Sequence, residues 1–268
     1  HCGDLRTGIQ HSCNAYFVTL FRTIVDMKGY KHPKPGLDTL NYYLNKFGYG
    51  RKLGVDYPGE QTGSFPTSDF FDRWYARDGQ WKSIWIRSLG IGQGELQCTN
   101  IQLANLAAII ANRGHFYTPH FFKAFGDSST TVSARFRTKP LVGIDPKYLD
   151  PVVDGMERVT IAGTARRAFI PDIPICGKTG TAENNSGEEH SIFFCFAPKK
   201  NPRIAIAVYA ENAGFGGSVA APVASLMIEK YLKGEIRSNA RKETEKMVLT
   251  KDYIIREVAL KNGKTDRP

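Results

Sequence analysis

Gly177-Lys178-Thr179-Gly180-Thr181 closes an apolar run that begins at Ile173, and its reading decides the fold. A short apolar run ending in Lys-Thr-Gly, followed by the polar stretch Thr181 to Glu189, reads as a strand that gives way to an exposed loop. The same letters could belong to a phosphate-binding P-loop. That motif needs a glycine five residues before Gly177, where Asp172 stands, and an apolar helix afterwards, which is absent. The dinucleotide fingerprint fails in a similar way. Gly90-Ile91-Gly92-Gln93-Gly94 is followed by Glu95 where the third glycine is required.

Working outward, two more strand-like runs follow the first, Ser191 to Ala197 and Arg203 to Glu211. The turn-rich link Pro198 to Pro202 suits an antiparallel hairpin between them. A helix over Val219 to Leu232 comes next, and beyond Gly234 the chain is charged, an exposed and partly helical tail. Upstream, Phe17, Leu20, Phe21, Ile24 and Val25 recur at helical spacing after Asn14. A second helix spans Leu37 to Phe47, with Leu40, Tyr43 and Leu44 expected inward. Asn100 is expected to cap a helix through Ala111, and Asp145 with Pro146 to open another running to about Val159. Gly48 to Gly94 has little periodicity but contains Trp74, Trp81 and Trp85, so it reads as an ordered loop region. Helices first and a clustered meander late imply an α+β or three-layer sheet-and-helix domain.

Composition narrows the function classes. The 268 residues are 41% apolar and 23% charged, ordinary for a folded chain with a real core. A net charge of +10 favours anionic partners, yet no aromatic-and-basic signature for nucleic acid is present, and nucleic acid is set aside. No run of about 18 apolar residues offers a membrane span. The five cysteines form no C-x-x-C pair. Cys176 and Cys195 lie in strand-like runs and are expected to be buried thiols.

The chemistry of Lys-Thr-Gly at a strand end is that of serine acyl-enzymes that bind penicillin. Lys178 supplies positive charge for a terminal carboxylate, and the Thr179 and Thr181 hydroxyls add charge-assisted hydrogen bonds. Gly180 lets a substrate backbone approach the strand, and the N–H just beyond it is a candidate oxyanion donor. Ser12-Cys13-Asn14, just ahead of the first long helix, fits the second motif, Ser-x-Asn. On those three residues alone a plain helix cap is the favoured reading.

The series as a whole resembles the elongation-type penicillin-binding protein 2 family, class B peptidoglycan D,D-transpeptidases. Matching stretches include Ser12 to Phe17, Gly54 to Glu60, Ser88 to Gly94, Gly177 to Ala182, His190-Ser191, Phe196 to Pro198, and Glu211 to Gly214. Gly216-Gly217 and Ala220 to Pro222 complete the series, which spans Ser12 to Leu232. The resemblance implies an α/β (α+β) penicillin-binding, serine β-lactamase-like fold, a five-stranded antiparallel sheet flanked by helices. It implies a transpeptidase domain over 1–234 with a charged tail over 235–268.

It further implies that a serine acyl-enzyme cross-links D-Ala-D-Ala stem peptides, that β-lactams acylate the same serine, and that a glycan polymerase of the elongation machinery is the partner. Ser12 would relay protons and Asn14 would hold the acyl-side amide. Lys178, Thr179 and Thr181 would bind the carboxylate, with Gly180 clearing the way. No cofactor is required, though the resemblance leaves a structural zinc near Cys13 open, with His1 and Cys2 as upstream candidates. The family works outside the cytoplasm, anchored in the inner membrane. Its nucleophile lies in Ser-x-x-Lys, which occurs nowhere in these residues. The expectation is therefore a piece of a longer protein that does not acylate by itself. The rival readings are a β-lactamase or D,D-carboxypeptidase, and a non-catalytic penicillin sensor or scaffold.

Overall fold

The computed structural model describes residues 2–27, 29–77, 80–123, 133–183 and 187–250. These fall into two compact units. The first comprises the residues before Ile9 and those from Cys13 to Pro151; the second comprises Ile9–Ser12 and the chain from Val152 onward. The second unit is thus discontinuous in sequence.

In the first unit, α2 (Asn14–Val25) and α3 (Lys34–Lys46) bury one stripe each. Phe21, Val25 and Leu37 join Phe71, Trp81 and Ile86 in one apolar cluster, with Leu40 packed against it. Tyr43, expected inward, is 43% exposed. The inward stripe of α3 runs through Gly36, Leu37 and the partly buried Leu40, and Tyr43, six residues after Leu37, lies about 120° around the helix from it. The aperiodic region hides a short helix, α4 (Ser68–Trp74), whose N-cap Thr67 accepts from the Phe70 N–H. Seven residues are too few to print a helical period against so many aromatics.

Buried polar groups order the rest of this region. The Glu60 carboxylate accepts the backbone N–H groups of Leu53, Gly54 and Val55 at 2.6, 3.1 and 3.0 Å. Gln102 donates its amide to the carbonyls of Gly48, Arg51 and Thr62. Gln102 also belongs to a reciprocal capping box with Thr99, so Thr99 and not Asn100 caps α5 (Asn100–Ala111). Trp81 is buried at the centre of the aromatic cluster.

Asp145 caps only a single 3-10 turn, Pro146–Tyr148; α6 proper begins at Asp150 and ends at Ala162. In the second unit, β1 (Cys176–Ala182), β2 (His190–Ala197) and β3 (Ile204–Ala210) form an antiparallel sheet in the order β1-β2-β3. Among the described residues these are three of the five strands that the resemblance implies. Strand pairing begins at Cys176 rather than Ile173, since Pro174 has no N–H for the ladder. β1 runs on through Ala182, so Lys-Thr-Gly lies within the strand and not at its end.

Helix α7 (Ala220–Lys233) packs on β2 and β3 with Ala220, Ala221, Ala224 and Ile228 fully buried. Ser191, also fully buried, joins sheet to helix. Its hydroxyl donates to Phe215 O at 3.0 Å and accepts the Ala220 N–H at 3.1 Å. The expected charged tail contains α8 (Asn239–Thr250), tied down where Arg241 meets the buried Glu229 at 3.0 Å and Ser225 at 2.9 Å. The remainder of that tail, 251–268, lies outside the described residues. No helix among the described residues is long and apolar enough to cross a membrane.

Candidate active site

Among the described residues β1 pairs only with β2 and is an edge strand of this sheet, so its outer backbone groups face away from the ladder. Strand alternation divides its side chains, with Lys178 and Gly180 on one face and Thr179 and Thr181 on the other. Lys178 extends to Ser12, donating from Nζ to Ser12 Oγ at 2.6 Å and to the carbonyl of Thr179 at 2.8 Å. Burial pushes the Lys178 ammonium down to about 8. The half-buried lysine therefore holds its proton less tightly than an exposed one does, and it donates to the Ser12 hydroxyl.

Ser12 reaches this place through an unusual turn. Its φ of 52° is left-handed, a strained region for a non-glycine residue, reached as α1 (Leu5–Gln10) gives way to α2. Residues 9–12 are stitched to the C-terminal end of α6. Gln10 Nε2 donates to Ala162 O at 3.2 Å, and Thr164 N donates to Gln10 O at 3.4 Å. Gly155 admits Ile9 at this seam, because a Cβ there would meet the Ile9 side chain at 2.9 Å. The cap of α2 is Cys13, with no side-chain cap hydrogen bond. The reading of Ser12-Cys13-Asn14 as an ordinary cap thus gives way to a Ser12 hydroxyl engaged by Lys178. Asn14 is exposed at the first position of α2, in the first unit.

On the other face of β1, the Thr179 and Thr164 hydroxyls are 2.7 Å apart, and either can donate. Thr181 Oγ1 accepts from Gly216 N at 3.5 Å. Gly216 lies flat on the sheet, since a Cβ there would strike the carbonyls of Ile192 and Gly180. Its neighbour Gly217 is pressed on the carbonyl of Thr164. Thr164 and this glycine pair are the site neighbours that sequence reading did not assign. Gly216-Gly217 stood out as a matching stretch, while Thr164 follows α6 in a turn that carries no motif.

Other candidates resolve more simply. His190 Nδ1 accepts from Asn212 N at 3.1 Å and its ring lies beside Tyr209, a structural role. Gly92 and Gly94 both have positive φ, 75° and 77°, as a tight backbone turn requires. Cys176 and Cys195 are buried thiols, as expected. The Cys2 and Cys13 side chains are hydrogen-bonded to each other, which raises the Cys2 thiol and lowers that of Cys13. Among the described residues no group of three or more His, Cys, Asp or Glu comes together to hold a metal. His1 lies outside the described residues.

The fold and these motifs define a class of protein, and comparison with known proteins bears it out. Residues 1–229 match the penicillin binding protein transpeptidase domain, and the chain belongs to that family. Among curated relatives, the peptidoglycan D,D-transpeptidase MrdA of Acinetobacter baumannii is 33% identical over 238 residues, covering 81% of this chain and 33% of the relative. The chain thus spans about a third of the length of the curated relatives it matches. Among solved structures, Pseudomonas aeruginosa PBP2 in complex with WCK 5153 superposes with a TM-score of 0.71 at 33% identity, over 88% of this chain and 51% of that one. A chain from a peptidoglycan synthase complex that coordinates polymerization and crosslinking gives 0.70 at 27% identity, over 87% of this chain and 38% of the other.

Proposed function

We propose that this chain supplies the proton-relay and carboxylate-binding parts of a peptidoglycan D,D-transpeptidase site. The observation that carries the reading is the Lys178 ammonium held 2.6 Å from Ser12 Oγ on an edge strand. An extended peptide can lie along such an edge, with Gly180 leaving its path clear. Lys178, Thr179 and Thr181 bind the terminal carboxylate of a D-Ala-D-Ala stem peptide at the strand edge, where the Lys178 ammonium comes round to the Thr179 carbonyl at 2.8 Å. Asn14 holds the acyl-side amide, and the Thr181 N–H is one oxyanion donor, worth about 3 kcal/mol in comparable sites.

The reaction is a double displacement. A serine hydroxyl attacks the penultimate D-alanine carbonyl, the C–N bond to the terminal D-alanine breaks, and Ser12 passes a proton to the departing amine. The amine of a neighbouring stem then attacks the acyl-enzyme and releases the serine. Lys178 suits the relay because burial makes its proton easy to give up near neutral pH. The nucleophile of the family's Ser-x-x-Lys motif is not among these 268 residues, and the reading assigns it to the longer gene product. β-Lactams acylate that same serine. A glycan polymerase is the partner, by analogy with the peptidoglycan synthase complex whose chain this one resembles. The site works outside the cytoplasm.

Fluorescent penicillin, applied to this chain and to the full-length gene product with mass spectrometry of the adduct, tests the reading. Label on a serine of the full-length protein, outside these residues, is expected, with this chain unlabelled. A folded full-length protein that refuses the label would make the site a sensor or scaffold. Rapid loss of the label to water would make it a β-lactamase or carboxypeptidase.

A further inference from the structure

The hydroxyl pair on the far face of β1 has a role that the motif residues do not fill. Thr179 presents its hydroxyl on an edge strand, where nothing in the strand itself fixes how that O–H rotates. Thr164 Oγ1 lies 2.7 Å away and is the side-chain partner that can fix it. The turn carrying Thr164 is held from two sides. Its N–H donates to Gln10 O at 3.4 Å, on the segment that ends at Ser12. Its carbonyl is backed by Gly217, where any side chain would collide. Thr164 is exposed, so the pair stays open to a ligand, while its backbone is fixed by its neighbours.

Two hydroxyls this close share one hydrogen bond and leave one O–H to give away. If Thr164 donates to Thr179, the free O–H is that of Thr179, on the strand that carries Lys178. An anion accepting that O–H polarises the pair, and a donor already aligned binds a carboxylate better than one that must first be oriented.

We propose that Thr164 is a positioning residue for carboxylate recognition, donating to Thr179 so that the Thr179 O–H is presented to the terminal carboxylate of the peptide. The proposal rests on the assignment of Lys178, Thr179 and Thr181 to carboxylate binding. It adds a residue from outside the three penicillin-binding motifs, brought in by the turn after α6. Gln10 couples that turn to the Ser12 segment, so both arms of the site share one anchor.

The test uses this 268-residue chain, in which the absent nucleophile leaves binding at equilibrium. Two probes are titrated and followed by amide chemical shifts: diacetyl-Lys-D-Ala-D-Ala, and the same peptide with its C-terminus amidated. The native chain should prefer the carboxylate. Thr164→Val should lose about tenfold in affinity for the carboxylate peptide and leave the amide unchanged, because the Thr179 O–H is then no longer held in line for its charge-assisted hydrogen bond. Thr164→Ser should restore the preference, since it keeps the hydroxyl and loses only the methyl. If Thr164→Val keeps the full preference, or weakens both peptides equally, the proposal is overturned while the Lys178 site stands. Failure of Thr164→Ser to rescue overturns it too. A native chain with no preference removes the carboxylate site itself and the proposal with it. Should Thr164→Val not fold, Thr164→Ala read against Thr164→Ser gives the same comparison.

Discussion

Ser12→Ala is the most informative single change, because it removes the hydroxyl that Lys178 contacts and leaves the β1 strand untouched. In the native chain burial holds the Lys178 ammonium at about 8, against an ordinary 10.5. That shift corresponds to roughly 3 kcal/mol of penalty on the charged form. The Ser12 oxygen, accepting at 2.6 Å, offsets part of the penalty by stabilising the ammonium. A hydrogen bond to a charged group contributes about 1.5–3 kcal/mol, so its loss should lower the lysine by a further one to two pH units or so. The Ser12→Ala chain should therefore titrate between roughly 6 and 7.

The assay is a 13C-lysine NMR titration, with Lys178→Arg identifying the signal. If the lysine instead titrates higher in Ser12→Ala, the serine was donating to a neutral amine, and the direction of proton flow argued above is wrong. Stability carries the same sign. A lysine whose folded value is lowered leaves the folded state less protonated than the unfolded state between about 8 and 10.5. This group should thus add stability as pH rises through that window, up to roughly 3 kcal/mol, and a Lys178→Met chain should lack the rise. Urea titrations at several pH values read it directly.

Arg241→Ala leaves Glu229, only 3% exposed, with Lys233 at 4.0 Å as its nearest remaining cationic side chain, and should cost about 3 kcal/mol in urea unfolding. Adding Glu229→Gln should recover part of that loss, and no recovery would mean that Arg241 acts by packing alone. Gly216→Ala drives a methyl into the carbonyls of Ile192 and Gly180 and should cost about 1–3 kcal/mol with amide shifts along β1; silent spectra would contradict the close packing. Cys13, its thiol lowered by the hydrogen bond from Cys2, should be carboxymethylated at a lower pH than Cys2 in peptide maps, and the reverse order would refute that pairing.

The strands, the helices at α2, α5 and α7, and the motif residues were legible because each depends on local pattern: alternation, helical spacing, or a motif with its own chemistry. Element ends were less so. Thr99 took the cap from Asn100 because a reciprocal box with Gln102 outweighs a single polar side chain, and Pro174 delayed the first strand. Tyr43 turned outward because it lies six residues after Leu37, about 120° around the helix from the buried stripe. Helix α4 was invisible in an aromatic-rich stretch held together by Glu60, Gln102 and Trp81, whose partners are loop backbone and other rings. At the site, Ser12 and Lys178 each carried a motif, but Thr164 and Gln10 did not. Their importance comes from a close approach of turns far apart in sequence, which no local pattern records.

That separation shapes how the protein is made. Ser12 and Lys178 are 166 positions apart, and Gln10 and Ala162 are 152 apart. At ribosomal speeds of about 5–20 residues per second, the strained turn at Ser12 emerges roughly 8 to 33 seconds before its lysine has been synthesised. Helices α2 to α5 and their aromatic cluster can assemble in that interval, while residues 9–12 have nothing of their own unit to rest on. Closing such a loop late is entropically costly and slow. The segment therefore waits without its partners in the newborn chain, open to proteases and chaperones, until the turn after α6 and strand β1 have been made.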